Sequence, residues 1–386
     1  MTTAPIYLDY NATTPVDAGV LDAMLPFLRG EFGNPSSAHA LGGSARDAVE
    51  AARADVAALI GARPDEIVFT GGGTEASNIA IRGAVRIDAA CRDIVTRTIE
   101  HPATEACCAF LQAGRHKVTR VAAAGNGLLD PARVAAAIDG KTALATIIHA
   151  QNEIGTIQPI GEIAAAAKRD GALVHVDAAQ SVGKIPVNVD ELGADLLSIA
   201  GHKLYAPKGV GALYVRRGVG LPPLLLGAGQ ERGRRPGTEN VPYIVGLGQA
   251  CRIAGALLEQ EARRQSGVAG ELFAALKREI PEIILVGDPR RRLPNTLNVL
   301  FPNVSGRKVL EQCPNVMAST GSACHADSEE PSAILTALGI GRDQALGAVR
   351  LSLGRGTRQE DVATAATSLA AAWRLQASRP AIARTG

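Results

Sequence analysis

The run Asp195-Leu196-Leu197-Ser198-Ile199-Ala200 leads directly into Gly201-His202-Lys203, and this stretch decides how the fold is interpreted. A short apolar run closed by a glycine is typical of a buried strand, so Lys203 would stand at the strand's carboxyl end. Similar runs alternate with alanine-rich helical stretches, at residues 66–70, 94–99, 142–149, 173–176 and 210–215. This alternation predicts an α/β fold with a mostly parallel sheet covered on both faces, in which ligands bind at the carboxyl ends of strands.

The sequence changes character near residue 256. A charged helical stretch over residues 259–280 leads into the apolar run at 293–300, which indicates a smaller α+β domain. We therefore expect a large domain formed by residues 16–255. The small domain would be formed by residues 1–15 together with 256–386.

Composition limits the partners and the compartment. The chain has 386 residues, is 46% hydrophobic and carries a formal net charge of +2, which favours neither nucleic acid nor an anionic membrane as main partner. The absence of an 18-residue apolar run and of a secretory signal predicts a cytoplasmic protein without a membrane partner. The six cysteines lack metal-site spacing, so we expect free thiols and no metal site.

Lys203 and Asp177 suggest a cofactor that contains an aldehyde and a pyridine ring. A desolvated lysine can form a Schiff base with an aldehyde, although most such lysines are solvated loop residues. Asp177 ends the apolar run at 173–176, where it could hold a protonated pyridine nitrogen or simply cap a helix. Gln180, one helical turn later, could donate to a phenolic oxygen.

Residues at two further strand ends could bind a phosphate and stack on a flat ring of the ligand. The glycines at 71–73, followed by Thr74, would present backbone N–H groups and a helix N-terminus to a phosphate, or form an ordinary turn. His101, at another strand end, could stack on a planar ring, shuttle protons as a catalytic residue, or be structural. Together with Lys203 and Asp177 these features predict a pyridoxal 5'-phosphate (PLP) enzyme.

The order of longer motifs then identifies a family. The chain resembles the class-I cysteine desulfurases of the NifS/IscS type, which belong to the fold-type I, aminotransferase class V-like PLP enzymes, over essentially its whole length. The matching stretches are residues 7–15, 32–37, 152–155, 201–203, 230–232, 235–240, 319–324, 330–332 and 349–355.

The resemblance implies a transferase that converts L-cysteine to L-alanine and leaves a persulfide on Cys324 for an acceptor protein. It also implies a role for each matching residue. Toward the PLP ring, Lys203 would be the covalent anchor, Asp177 would lie at the pyridinium, Gln180 at the phenolic oxygen, and His101 would stack on the ring. Toward the phosphate, the residues are Gly73, Thr74 and His202. Thr238 would reach the phosphate from the second subunit of a homodimer. Toward the substrate they are Asn11, Asn152 and Arg350, with Arg350 pairing its carboxylate, and Lys203 as the base that removes the α-proton.

Two departures from the family pattern leave the substrate open. Ala200 stands where many members have a phosphate-binding serine, and His325 follows Cys324 where desulfurases often have a small hydroxyl residue. Both features are similar to the selenocysteine lyase branch, so L-selenocysteine is the alternative substrate. Two other functions are alternatives to the removal of sulfur from cysteine or of selenium from selenocysteine. The chain could be a transaminase, or it could be a non-catalytic scaffold that delivers sulfur. The acceptor could belong to iron–sulfur cluster assembly, tRNA thiolation, DNA phosphorothioation or selenium recycling.

Overall fold

A computed structural model describes residues 5–88, 90, 92–114, 116–321 and 330–378. Their strands are β1 Ile6–Tyr7, β2 Ile67–Thr70, β3 Asp93–Arg97, β4 Val118–Val121, β5 Thr142–Ile148, β6 Leu173–Asp177, β7 Leu196–Ala200, β8 Gly211–Val215, β9 Ile284–Val286, β10 Thr296–Leu300, β11 Val316–Met317 and β12 Ala348–Ser352. Their helices are α1 Ala18–Arg29, α2 Ala40–Leu59, α3 Gly73–Ala84, α4 Pro102–Ala113, α5 Pro131–Ala137, α6 Ile160–Arg169, α7 Val241–Glu279, α8 Gly306–Glu311, α9 Ala333–Ala337, α10 Arg342–Leu346 and α11 Gln359–Ala377.

The large sheet has the strand order β2-β8-β7-β6-β5-β3-β4. Strands β4, β3, β5, β6 and β7 are parallel, and β8 is antiparallel to both of its neighbours, β7 and β2. All seven residues of β5 are buried, as expected of a strand with helices on both faces. The predicted α/β fold with a mostly parallel sheet is therefore confirmed.

The two faces of this sheet support separate hydrophobic cores. On one face, Ile147 and Val176 pack with residues of α1, α2, α5, α6 and the first part of α7. On the other face, Ile94 and Leu144 pack with α3 and α4. Each fully buried aliphatic side chain contributes about 1.5–3 kcal/mol, which holds the strand ends in a fixed relation to one another.

Helix α7 continues through the expected domain boundary at residues 255 and 256. Its early residues Ile244 and Leu247 pack in the core of the large sheet, whereas Leu272 and Leu276 pack in another core with β10, β12, α8 and α11. By length and composition alone α7 could cross a membrane, but its buried apolar residues, such as these four, pack in the two cores. The division into two domains remains a prediction.

The N-terminal segment connects the small sheets to the centre of the molecule. β1 pairs in parallel with β11, and Asp9 forms a bridge with Ser352 at the end of β12. Five residues later, the Thr14 amide and hydroxyl both donate to the carbonyl of His202, each at 3.0 Å. This path places residues 9–14 directly beside the turn that carries Lys203.

Candidate active site

Four of the predicted cofactor residues lie at one edge of the large sheet. Asp177 is the last residue of β6, Lys203 lies in the 3-10 turn that follows β7, His101 caps α4 beyond β3, and Gly73 begins α3 beyond β2. These strands point the same way, since β8 lies between β2 and β7 and is antiparallel to both. The carboxyl edge therefore gathers the side chains as the sequence predicts.

The Lys203 amine is held by backbone carbonyls and by the charges around it. Its Nζ donates to the carbonyl of Asn11 at 2.5 Å and to that of Ala12 at 2.7 Å. Burial, with help from the Arg350 cation, lowers the pKa of Lys203 to about 8, although Asp9 and Asp177 oppose the shift. A substantial fraction of this amine is thus neutral near pH 8, as attack on an aldehyde requires.

Asp177 stabilises the turn after β6, and its role toward a pyridinium remains a prediction. Its side chain is buried, and Oδ1 accepts the Ala179 N–H at 3.0 Å, which stabilises the turn after β6. The same carboxylate also opposes the lowering of the pKa of both His101 and Lys203, which is the influence of a nearby negative charge. The turn bond leaves acceptor capacity on Asp177 for a cationic partner such as a pyridinium.

His101 is held in one ring orientation at the start of α4. Its Nδ1 accepts the Ala103 N–H at 3.1 Å, so the proton of a neutral ring resides on Nε2. Burial lowers the pKa of His101, and the Lys203 cation lowers it further, while Asp177 opposes the shift. A neutral, oriented imidazole suits stacking on a flat ring.

The glycine turn before α3 is tightly packed against Ala200. Gly72 has φ of 149°, which disfavours any side chain, and a Cβ added to Gly73 would lie 3.1 Å from the Ala200 Cβ. The Gly71 N–H donates to Glu75 Oε2 at 2.6 Å and the Gly72 N–H to Thr70 Oγ1 at 3.4 Å, so the N–H groups that suit a phosphate are those from Gly73 onward, at the start of a 12-residue helix. These features, together with the lowered pKa of Lys203, fit PLP.

Thr74 and His202 flank this turn in different environments. Thr74 is exposed, whereas His202 is half-buried and its Nδ1 lies 3.2 Å from the Thr13 hydroxyl. Burial, followed by the Lys203 cation, lowers the pKa of His202 to about 4. His202 would therefore contact a phosphate as a neutral ring.

The loop that carries Thr238 is anchored at its beginning. Glu231 has a left-handed backbone, and its carboxylate accepts two bonds from Arg53, at 2.7 and 2.9 Å, and the Phe69 N–H at 2.8 Å. Arg235 pairs with Glu75 at 2.8 Å, which ties the loop to the first turn of α3. Thr238 itself is exposed, so its role toward a second subunit remains a prediction.

The predicted substrate residues meet at Arg350. This buried guanidinium donates to Asp9 Oδ1 at 2.7 Å and to the Asn152 carbonyl at 3.1 Å, and its Nε has no partner among the described residues. The free Nε and the position beside Lys203 suit a substrate carboxylate.

Asn11 is more fully engaged within the chain than the prediction implies. Its Nδ2 donates to the Asn152 carbonyl at 3.2 Å and to Thr296 Oγ1 at 2.8 Å, while Oδ1 accepts from Lys184 at 3.0 Å and Asn295 at 3.1 Å. All four hydrogen-bonding positions of the amide are thus occupied. A contact of this side chain with substrate would require exchange of one of these bonds.

Cys324 and His325 lie outside the described residues. The backbones of Ser319 and Arg350 exchange bonds at 2.7 and 3.4 Å. On the far side of the gap, the Ser332 hydroxyl donates to Glu153 at 2.6 Å. Both flanks of the segment that carries Cys324 are therefore attached beside Arg350 and Asn152.

Two residues near the site, one buried and one half-buried, were not singled out from the sequence. His175 lies on the same face of β6 as Asp177 and contacts the Thr146 and Ser198 hydroxyls, each at 2.8 Å. The alternation Val-His-Val-Asp was the signal that could have placed it there. Lys184 bonds to Gln180 and Asn11, a contact between distant segments that no local pattern indicates.

Comparisons with known proteins agree with this geometry. Residues 6–364 match the family described as aminotransferase class-V. The chain is 46% identical over 359 residues to a cysteine desulfurase from Trichormus azollae, covering 92% of this chain and 90% of that protein. It is 44% identical over 360 residues to cysteine desulfurase IscS from Dictyoglomus turgidum, covering 92% and 91%.

A solved structure described as a NifS-like protein superposes with a TM-score of 0.90 at 35% identity, covering 96% of this chain and all of that one. The family match at residues 6–364 spans the strand ends that form the site. By its sequence and its fold, the chain belongs to the aminotransferase class-V family, among the cysteine desulfurases of the NifS/IscS type.

Proposed function

We propose that this enzyme is a PLP-dependent cysteine desulfurase that converts L-cysteine to L-alanine and transfers the sulfur to Cys324. The observation that carries the proposal is the arrangement of Lys203. Its amine donates to the Asn11 and Ala12 carbonyls, has a pKa of about 8, and lies close enough to Asp177 and Arg350 to feel the charge of both. This arrangement combines an anchor for the cofactor, an anion for its ring and a cation for the substrate.

PLP would be held by the residues at the carboxyl edge. Lys203 would bind it covalently, Asp177 would hold the proton on the ring nitrogen, and Gln180 would donate to the phenolic oxygen. His101 would stack on the ring, and the turn at Gly73 would take the phosphate together with Thr74, His202 and the second subunit's copy of Thr238. When bound, PLP supplies an electron sink for the substrate's α-carbon.

The chain's own residues would then perform the remaining steps. Arg350 and Asn152 orient the substrate through its carboxylate, and Lys203 moves the proton at the α-carbon. The carbon–sulfur bond breaks as the Cys324 sulfur bonds to the substrate sulfur, which gives alanine and a persulfide. The thiol hydrogens of substrate and enzyme remain in the products, so the transfer needs no added oxidant or reductant.

The other described cysteines are poorly suited to accept sulfur. Cys107, Cys108, Cys251 and Cys313 are all buried free thiols, and burial raises the pKa of each. A thiol with a raised pKa contains little of the reactive thiolate. This supports Cys324 as the acceptor, and free thiols suit the reducing cytoplasm in which we place the enzyme.

The proposed second subunit would cover exposed apolar residues. Phe32 is 77% exposed and Leu226 is 91% exposed, and Leu226 begins the loop that leads to Thr238. Large apolar side chains that are exposed near a functional loop are typical of interaction surfaces. A homodimer would bury them and bring Thr238 to the partner's phosphate site, and a separate acceptor protein would collect the sulfur from Cys324.

Turnover of both amino acids tests the function. The purified enzyme is incubated with L-cysteine or with L-selenocysteine, and alanine, sulfide and selenide are measured, together with keto acids. The proposal expects alanine from L-cysteine and sulfide in the presence of a thiol reductant. Alanine from L-selenocysteine alone would identify a selenocysteine lyase, a keto acid would identify a transaminase, and no product would identify a scaffold.

A further inference from the structure

Lys184 lies beneath the site in the turn that follows β6, one helical turn beyond Gln180. Its Nζ donates to Gln180 Oε1 at 2.6 Å and to Asn11 Oδ1 at 3.0 Å. Burial lowers the pKa of Lys184 well below its usual value, and the Lys203 and Arg350 cations lower it further. Both contacts use hydrogens of the Lys184 amine, which is the donor in each.

A lysine can determine the orientation of a neighbouring side-chain amide because it only donates hydrogen bonds. The two ends of a glutamine amide have nearly the same shape, and the surrounding donors and acceptors decide which end faces which group. With Oε1 turned toward Lys184, Gln180 Nε2 donates to the Asn11 carbonyl at 3.0 Å. One hydrogen of Nε2 then remains for a ligand at the site.

Asn11 is oriented by the same amine. Its Oδ1 faces Lys184 and Asn295, so its Nδ2 faces Thr296 and the Asn152 carbonyl. The carbonyl of Asn11 also accepts a bond from Lys203. Lys184 therefore bonds directly to Gln180, and it is linked to the Lys203 anchor through Asn11.

We propose that Lys184 is a positioning residue that makes Gln180 present a hydrogen-bond donor, rather than its carbonyl, to the phenolic oxygen of PLP. The inference rests on the proposed function, in which Gln180 contacts that oxygen. Without Lys184, only the bond from Gln180 Nε2 to the Asn11 carbonyl would hold the amide in this orientation. The amide would then reverse more easily and place Oε1 against an oxygen, where two acceptors repel. Lys184 itself would not touch the cofactor or the substrate.

The test is a double-mutant cycle on cofactor binding. The variants are Lys184→Met, Gln180→Leu and the double substitution, with Lys141→Met as the control, since Lys141 is exposed at the opposite end of the sheet, before β5. Three quantities are measured: the dissociation constant of PLP from the apo-protein, the wavelength of the visible absorption band of the bound cofactor, and the melting temperature of the apo-protein. The melting temperature shows whether a variant has lost its fold rather than its cofactor contact.

Lys184→Met is expected to weaken PLP binding about 5- to 10-fold, the usual effect of one lost hydrogen bond, and to shift the absorption band. In the Gln180→Leu background the same change should weaken binding less than about twofold, because the contact through which it acts is already absent. Lys184→Arg, which keeps a donor-only side chain, should retain the wild-type band. Lys141→Met should change neither the affinity nor the band.

Losses of affinity that multiply in the double variant would overturn the positioning role, because Lys184 would then act independently of Gln180. So would a Lys184→Met protein with wild-type affinity and an unchanged band. A wild-type protein that does not bind PLP would instead overturn the proposed function, and the inference with it. The wild-type titration thus separates the two failures.

Discussion

Asp9 and Arg350 form an ion pair of 2.7 Å across 341 residues of sequence, and they join the N-terminal segment to β12 beside Lys203. The Arg350 side chain is only 3% exposed, so its cation depends on partners within the site. A substrate carboxylate that binds Arg350 must share or displace Asp9. In this structure Asp9 therefore occupies part of the group that we propose binds the substrate carboxylate, while Arg350 Nε has no partner among the described residues.

Arg350→Lys is expected to raise the KM for L-cysteine about tenfold or more while changing kcat less, because lysine lacks the planar fork that pairs with a carboxylate. Steady-state kinetics on the two proteins provide the measurement. Arg358→Lys, at an exposed arginine beside α11, is the control and should leave both constants unchanged. A loss of kcat at constant KM would contradict a binding role for Arg350.

Lys203→Ala is expected to abolish turnover together with the visible absorption band of bound PLP, because the neighbouring Lys184 amine is bonded to Gln180 and Asn11 and would not replace the anchor. Absorption spectra of the PLP-loaded protein and alanine production are compared with those of the wild type. Lys208→Ala, at an exposed lysine on the same loop, is the control. Wild-type turnover by the Lys203 variant would remove Lys203 from the mechanism.

The rate at which the apo-protein incorporates PLP should rise with pH and level off above about pH 8. Only the neutral amine attacks an aldehyde, and burial lowers the pKa of Lys203 to about 8 from 10.5. Below that pH the amine is mostly protonated and the rate falls, whereas above it little more is gained. Stopped-flow absorbance across the pH range measures the midpoint, and a rate that keeps rising beyond about pH 10 would show an unperturbed lysine.

Cys324→Ala is expected to lose cysteine desulfuration but to keep part of any selenocysteine lyase activity. Sulfur needs a thiolate acceptor to leave carbon, whereas a selenol is more acidic and its bond to carbon is weaker. Alanine is measured from both amino acids, with Cys313→Ala as the control at a buried thiol. Equal loss on both substrates would indicate that selenium also requires Cys324, and His325→Ala tests whether the neighbouring histidine assists selenium alone.

The enzyme is expected to sediment as a homodimer, and Leu226→Asp should weaken the dimer and lower turnover. A carboxylate at a position that is 91% exposed in one subunit costs little there but is unfavourable once a second subunit covers it. Sedimentation velocity and PLP affinity are followed together, with Leu375→Asp on α11 as an exposed apolar control. A fully active monomer would contradict the proposed role of Thr238.

Much of the site could be predicted from local sequence because strands and turns are encoded locally. Apolar runs of strand length that end at Asp177, at Gly201-His202-Lys203 and before His101 place these side chains at the carboxyl edge of a parallel sheet, whatever the details of packing. The glycines before Thr74 indicate a helix N-terminus in the same way. The family motifs added roles to these positions without changing where they lie.

Only the tertiary structure decided which distant groups meet and how burial changes their chemistry. The Asp9–Arg350 pair, the contacts of Lys184 with Gln180 and Asn11, and the passage of α7 through residues 255 and 256 depend on the packing of segments far apart in sequence. The lowered pKa of Lys203 also follows from that packing, because desolvation depends on what surrounds an amine in space. The sequence by itself determined which residues stand at the strand ends, and the fold determined their partners, since hydrophobic periodicity is a local property and burial is not.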